Sequence, residues 1–348
     1  MKGKGRPAHQ VWLPPLDVPN SLDQLLGELV QDPQLGLVSR AWRTRGSYTF
    51  PLGVVDRPLE QRRDLFVLSL GGAAGHVAIV GGPRSGRSTI ARTLLCSIAL
   101  TTTPLESQVY VLDFGGGTFT PLAGLAHVAG VANRNEPEVV RRTVAEINGI
   151  IDKREAYFRA HGIDSIETYR RRRAEGRVDD GYGDVFLVVD GWPTIRAEFD
   201  ELEMDIQMLA GRGLTFGIHV IITTSRWMDF RMQIRDVLGT RVELGLGDPS
   251  DSEIDRKLAA NVPTGRPGRG LTMSKHHFLS GIPRLDNSGS VEDLGDGVED
   301  LVAKVNAGWA ATGRPSGPKL RLLPLEQPLD QLRTMPGADL SKLLLGIN

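Results

Sequence analysis

With 348 residues, 40% of them hydrophobic and 24% charged, the chain can bury one large core with at most a small appendage. Its formal net charge of −1 supplies no overall basic field for nucleic acid, so no nucleic-acid partner is expected, and a lone cysteine, Cys96, excludes a disulfide framework and a cysteine metal site. No run of 18 apolar residues is present and Met1–Pro7 lacks the apolar stretch of a signal peptide, so this segment is expected to make no direct membrane contact.

In chain order, Ser21 is a suitable N-cap for an amphipathic helix through Leu22, Leu25, Leu26 and Leu29. Residues 63–70 read as a strand, and Val77–Val80 as a second strand running into a glycine-rich turn. Beyond that turn Ile90, Leu94, Leu95 and Ile98 keep helical spacing. Residues 107–113 form another apolar run, and Pro137 opens a long helix carrying Val140, Val144, Ile147, Ile151 and Phe158 on one face. Strands near 185–190, 217–223 and 240–245 and a last helix over 297–310 complete the order. This alternation predicts an α/β fold: a mostly parallel sheet with helices on both faces. Three segments are expected: an N-terminal connector and lead-in over 1–60, the core over 61–310, and a Gly/Pro-rich linker over 311–348.

The turn itself reads Gly81, Gly82, Pro83, Arg84, Ser85, Gly86, Arg87, Ser88, Thr89, the G-x-x-x-x-G-K-[ST] phosphate loop with arginine in the lysine slot. Backbone N–H groups around Ser85 and Gly86, with the N-terminus of the next helix, make a concave positive site for phosphate oxygens. Lysine reaches the β- and γ-phosphates as a compact point charge, whereas the guanidinium of Arg87 is broader, planar and forked. Residues 81–89 are thus the expected nucleotide-binding residues of a P-loop NTPase, with ATP and magnesium as cofactors bound weakly or not at all. Ser88 retains the hydroxyl that holds magnesium.

The second metal-side group is Asp190, which ends the apolar run Val185–Val189 as the magnesium-side acid does in P-loop proteins. Ser88 and Asp190 are therefore the expected magnesium pair. A hydrolysing enzyme of this class needs an acidic general base next, and the residue there is Gly191. Asp190 is left as a residual acid, no catalytic residue is assigned beyond it, and hydrolysis is expected to be weak or absent.

The stretch Gly217-Ile218-His219-Val220-Ile221-Ile222-Thr223-Thr224-Ser225-Arg226 resembles the FtsK/SpoIIIE family of hexameric motors, whose corresponding strand runs G-I-H-L-I-L-A-T-Q-R-P. The family's γ-phosphate-sensing glutamine is Ser225 here, and its proline is Trp227. Val111–Gly117, Leu125–Val128, Gly239–Leu244, Gly247–Glu253 and Pro267–Leu271 look like the EccC subset, the ATPase of type VII secretion. The resemblance spans residues 12–285 and implies a RecA/FtsK-like core and a single degenerate ATPase module, the second of a tandem array. It also implies neighbouring modules of the same chain as partners. Small helical-hairpin secretion substrates, or a linker mimicking their tail, are implied as a second class of partner, with Leu322–Leu332 a candidate internal occupant. The module itself is expected on the cytoplasmic side of the cell membrane, its parent anchored by helices elsewhere.

A loose internal repeat agrees with an array: Leu13-Pro14-Pro15-Leu16 recurs as Leu322-Leu323-Pro324-Leu325, and Leu52-Gly53-Val54-Val55 as Leu345-Gly346-Ile347-Asn348. Arg170–Arg173 is read as a solvated helix end, and Arg141, Arg142 and Arg226 as surface-paired rather than as arginine fingers. His127 and His219 lack partners at metal-ligand spacing and read as packing residues. The leading expectation is a nucleotide-sensing, regulatory or scaffolding module. The alternatives are a slow genuine ATPase using Arg87, or a DNA translocase, which needs Lys at 87, an acid at 191 and usually a winged-helix DNA reader.

Overall fold

The computed structural model describes residues 13–43, 48–320 and 322. Its strands are β1 (Val30–Asp32), β2 (Gly36–Val38), β3 (Thr49–Arg57), β4 (Arg62–Ser69), β5 (Val77–Val80), β6 (Ser107–Asp113), β7 (Val128–Asn133), β8 (Asp184–Asp190), β9 (Ile218–Thr224), β10 (Thr240–Leu244), β11 (Arg269–Leu271) and β12 (His277–Ser280). Its helices are α1 (Leu22–Leu26), α2 (Arg40–Arg43), α3 (Arg87–Ala99), α4 (Pro137–Ala160), α5 (Ile166–Ala174), α6 (Trp192–Glu198), α7 (Asp200–Gly213), α8 (Met232–Val237), α9 (Arg256–Ala259) and α10 (Leu294–Ala310).

Ten strands form one sheet in the order β4-β3-β12-β11-β10-β5-β9-β8-β6-β7. From β10 to β7 all neighbours are parallel, and from β10 back to β4 all are antiparallel. The central strands are buried on both faces, which is why they read as continuous apolar runs rather than alternating ones. Period-2 geometry then divides each strand between two cores. Val77, Ile79, Val109, Val111, Phe186, Val188 and Ile221 join α1, α3 and α10 on one face. Ala78, Val80, Tyr110, Leu112, Leu187, Val189 and Ile222 join α4, α6, α7 and α8 on the other. The mostly parallel sheet with helices on both faces matches the sequence expectation.

Pro137 stands at the first turn of α4, where its missing N–H costs nothing, and Val140, Val144, Ile147 and Ile151 are buried. Helix α1 stops at Leu26 because Gly27 takes φ +70°, so Leu29 lies beyond its end. The expected boundary between residues 60 and 61 falls in the Pro58–Glu60 turn of the β3–β4 hairpin. Strand β3 carries Pro51 and Gly53, both poor strand formers, and the register shifts between them. Gly53 is required: a Cβ there would stand 2.2 Å from the Leu279 carbonyl oxygen of β12.

Beyond α10 the chain crosses to the far edge of the sheet. The Leu320 N–H donates to Ala129 O of β7 at 2.9 Å, and the Lys319 ammonium reaches Val128 O at 2.6 Å. Within the Leu322–Leu332 stretch, Leu322 is exposed and residues 323–332 lie outside the described residues, as does the repeat at 345–348.

Candidate functional site

All the expected site residues meet at the C-terminal ends of the parallel strands, the edge where doubly wound sheets bind ligands. The loop between β5 and α3 is held from three sides. Gly81 N–H donates to Thr224 O at 3.1 Å, Gly82 N–H to Gly245 O at 2.8 Å, and Gly268 N–H to Ser85 O at 2.8 Å. Positive φ at Arg84 (58°) and Gly86 (98°) alternates the backbone hand, the pattern that turns successive N–H groups to one side. A Cβ on Gly86 would also stand 2.9 Å from Gly268 N. Helix α3 begins at Arg87 with no side-chain cap on its first turn, leaving the helix N-terminus open to an anion. Pro83 and Arg84 are exposed on the outer lip, Thr89 is half-buried, and the Ser85 hydroxyl is buried with no partner.

Ser88 and Asp190 are in contact: the Ser88 Oγ–H donates to Asp190 Oδ2 at 2.9 Å. Thr223 Oγ–H donates to Asp190 Oδ1 at 2.6 Å, and the Gly191 N–H in turn donates to Thr223 Oγ1 at 3.0 Å. Burial holds the Asp190 carboxyl above the usual aspartate range, against the opposing hydrogen bonds from Thr223 and Ser88. A serine hydroxyl beside a carboxylate is the hard-oxygen donor set that magnesium takes, so the residues present fit that ion. Asp113, at the end of β6, spends its carboxylate on the loop that follows it, accepting from Gly115 N–H at 3.1 Å and Phe119 N–H at 2.8 Å. That loop lies against Asp190, with Phe114 N–H donating to Asp190 O at 2.9 Å.

Gly191 has φ +97° and ψ +57° and opens α6, a left-handed turn that favours glycine. The missing acid is therefore also a missing backbone conformation.

Arg87 reaches across the loop to the end of β9, where its Nη1 donates to Ser225 Oγ at 2.6 Å. Burial lowers the pKa of its guanidinium, partly offset by the charges of Asp190 and Asp229. Ser225 sits at the head of a tied loop: Thr224 Oγ–H donates to Asp229 Oδ2 at 2.5 Å, and Trp227 Nε1–H to Glu243 Oε2 at 2.7 Å. Glu243 is buried in β10 and accepts also from Ser252 Oγ at 2.6 Å. Thr223, Glu243 and Ser252 went unassigned in the sequence; the single signal was a carboxylate between Val242 and Leu244 in an otherwise apolar strand.

The other singled-out residues stay outside this cluster. His219 stacks against the rings of both Tyr48 and Phe186, its nitrogens facing Gly75 O at 3.0 Å and Asp184 Oδ2 at 2.9 Å. His127 Nε2 faces Thr102 O at 3.0 Å. Arg170 pairs with Asp184 and Arg173 with Asp179, so the arginine run is tied down at both ends. Arg141 pairs with Glu138 and Glu201, and Arg142 with Glu146. Cys96 is buried in α3, its thiol pushed up to about 12 by burial. Among the described residues no group of three His, Cys, Asp or Glu could hold a metal, and no helix is long and apolar enough to cross a membrane.

Comparison with known proteins places this geometry. The family model described as FtsK/SpoIIIE family matches residues 37–286. The ESX secretion system protein EccC of Thermomonospora curvata is 50% identical over 333 residues, covering 95% of this chain and 25% of that protein. The solved cytoplasmic domain of the Thermomonospora curvata type VII secretion ATPase EccC superposes with a TM-score of 0.90 at 49% identity, over 96% of this chain and 38% of that one. A second structure, Thermomonospora curvata EccC (ATPases 2 and 3) in complex with a signal sequence peptide, gives 0.88 at 50% identity, over 92% of this chain and 57% of that one. The chain belongs to the FtsK/SpoIIIE family and is an EccC-type ATPase module; it spans about a quarter of the length of the EccC relative it matches.

Proposed function

We propose that this FtsK/SpoIIIE-family chain is a regulatory, nucleotide-holding module of a type VII protein secretion motor, binding ATP with magnesium and turning it over slowly or not at all. The observation that carries the reading is the end of β8: Asp190 is retained in contact with Ser88, and the next residue is a left-handed glycine. The cradle is built while the group that would take a proton from water is absent.

Residues 81–89 would hold the phosphates through backbone N–H groups and the N-terminus of α3. Ser88 and Asp190 would hold the ion, which neutralises phosphate charge when bound. Arg87, fastened to Ser225, would meet the outer phosphate from the β9 side. With nucleotide bound in this way the module acts as a brace and a sensor on its neighbours in the same chain. Recognition of a helical-hairpin substrate's tail, or of a linker resembling it, is the second part of the proposal. It is supported by the peptide complex of the half-identical Thermomonospora curvata EccC.

Isothermal calorimetry with ATP and magnesium, beside a phosphate-release assay, tests the first part. Binding with turnover near the uncatalysed rate is the expected result. Brisk hydrolysis would overturn this reading, and stimulation by double-stranded DNA would favour a translocase.

A further inference from the structure

We propose that Arg92 and Thr118 form a second anion subsite beneath the glycine loop that follows β6, one that takes a phosphate-sized tetrahedral oxyanion. It lies on the β6 side of the Ser88–Asp190 pair, whereas Arg87 stands on the β9 side. It goes beyond the nucleotide-holding reading above and can stand or fall apart from it.

The placement follows from helical spacing. Ser88 and Arg92 are four residues apart on α3, so they share a face one turn apart. Ser88 meets Asp190 at the end of β8, and Arg92 reaches the loop after β6, the next strand of the sheet. The guanidinium is half-buried there and poorly bonded. Its Nη1 faces Thr118 O at 3.4 Å and its Nη2 faces Thr89 Oγ1 at 3.5 Å, both longer than usual for such bonds. Its Nε–H is buried with no partner. The two acids that act on it through space are committed elsewhere: Asp113 accepts from the Gly115 and Phe119 N–H groups, and Asp190 from Ser88 and Thr223.

A half-buried cation with unmet donors is costly until an acceptor reaches it. The Thr118 hydroxyl, on the facing loop, is also buried without a partner. Just before it the loop offers bare backbone. Gly115, Gly116 and Gly117 are exposed, Gly116 and Gly117 hold φ of 100° and 82°, and nothing lies within 4 Å of a Cβ placed on Gly116. A group of oxygens can therefore come close. Water would satisfy the hydroxyl but not the charge. A carboxylate would spend both oxygens on the guanidinium fork, whereas phosphate meets the fork with two and keeps others for a hydroxyl donor.

Charge sets a condition on this binding. Asp113 and Asp190 act against an incoming anion, and magnesium held by Ser88 and Asp190 would offset the second of them. Occupancy of the subsite therefore rises with magnesium. The oxygens come either from free inorganic phosphate or from the outer phosphoryl group of a nucleotide in the adjoining cradle, one chemistry from two sources. Arg92 carries the charge-assisted bonds, and Thr118 adds one neutral bond.

The test reads the Arg92 Nε–H resonance by arginine side-chain NMR of the full chain, assigned by its loss in R92K. Inorganic phosphate is titrated with and without magnesium, at an ionic strength matched with chloride, alone and beside ADP or adenylyl imidodiphosphate. The resonance is expected to shift saturably, with a dissociation constant about threefold to tenfold higher when magnesium is left out. T118V, which keeps Arg92 and the side-chain shape, binds phosphate about fivefold more weakly, in line with one lost neutral bond, and T118S does not. R92M, its fold checked by circular dichroism, loses about tenfold or more in phosphate affinity by calorimetry with ADP filling the loop. A shift with adenylyl imidodiphosphate but not with ADP identifies the nucleotide's outer phosphoryl group as the occupant. A shift with phosphate beside either nucleotide identifies free phosphate. A resonance that moves with none of these, or as far with chloride, overturns the proposal, as does a folded T118V or R92M that binds phosphate like the wild type. A chain in which phosphate moves Arg92 but neither nucleotide binds keeps the subsite and overturns the nucleotide-holding reading.

Discussion

Gly115 lies against Asp190 so closely that a Cβ at residue 115 would stand 2.0 Å from Asp190 Oδ2 and 3.4 Å from Ser88 Oγ. The carboxylate cannot swing aside freely, since Thr223 and Ser88 fix its two oxygens. Gly115→Ala must therefore push the loop away or break one of those bonds. A loss of about 1–3 kcal/mol of stability is expected, as for an overpacked site, together with weaker magnesium-dependent nucleotide binding. Urea denaturation and calorimetry check the two halves; an unaltered variant would mean the loop yields at no cost.

Gly191→Glu restores the acid that hydrolysing relatives of this fold use, in a backbone that disfavours it. With φ at +97° a side chain adds about 1–2 kcal/mol of strain. The new Cβ would also lie 3.3 Å from Phe114 Cβ. The expected outcome is lower stability and phosphate release no faster than wild type. A marked rise in turnover would show that the turn rebuilds itself around the carboxylate.

Much of this site could be read from the sequence, and the part that could not has physical reasons. The strand–loop–helix at 77–99 and the strands ending in Asp113, Asp190 and Thr224 announce themselves because strands buried on both faces leave unbroken apolar runs. Strand β3 was hidden by Pro51 and Gly53, which suit a bulge and a close backbone approach rather than a propensity scale. Strands β11 and β12, at three and four residues, are too short to show a period. The bond between Arg87 and Ser225 joins positions 138 apart, and only strand order brings them together. From sequence, one was a defective lysine and the other a defective glutamine; in space they form a pair.

Acid should weaken this fold through two buried imidazoles. His76 accepts from Val220 N–H at 2.9 Å and donates to Ala210 O at 2.7 Å, a neutral tautomer, and burial takes its pKa down to about 4. Burial takes His127 down to about 4 as well. Each folded value lies below the unfolded one of about 6.5, so between those limits the unfolded chain binds more protons. Stability from both residues is full above pH 6.5 and falls as pH drops toward 4. Urea midpoints at pH 7, 6 and 5 should decline steadily, and neither imidazole should titrate by NMR between pH 6 and 8. Imidazole shifts moving near pH 6.5 would refute the assignment.

Arg154 is fully buried beneath the far end of the sheet, paired with Asp180 at 2.7 Å and donating to the carbonyls of Phe216, Tyr182 and Gly183. Arg154→Ala removes the guanidinium from Asp180 and from those carbonyls, leaving the buried Asp180 carboxylate only the Tyr169 hydroxyl and the Tyr182 N–H as donors. A loss of about 3–5 kcal/mol is expected, as when one partner of a buried pair is removed. Chemical denaturation measures it; a loss under about 1 kcal/mol would mean water replaces the guanidinium.

The outermost strand of the parallel half, β7, would on its own offer a row of unsatisfied main-chain groups to any passing chain. The Leu320 N–H on Ala129 O and the Lys319 ammonium on Val128 O occupy part of that row, and the same ammonium also reaches the carbonyls of Leu125 and Ala126 just before it. The stretch past α10 therefore does more than lead away from the domain: it acts as a guard against edge-to-edge polymerisation. A fragment trimmed back before Gly317 would carry a sticky flank, and its tendency to form oligomers should rise for a reason that has nothing to do with nucleotide.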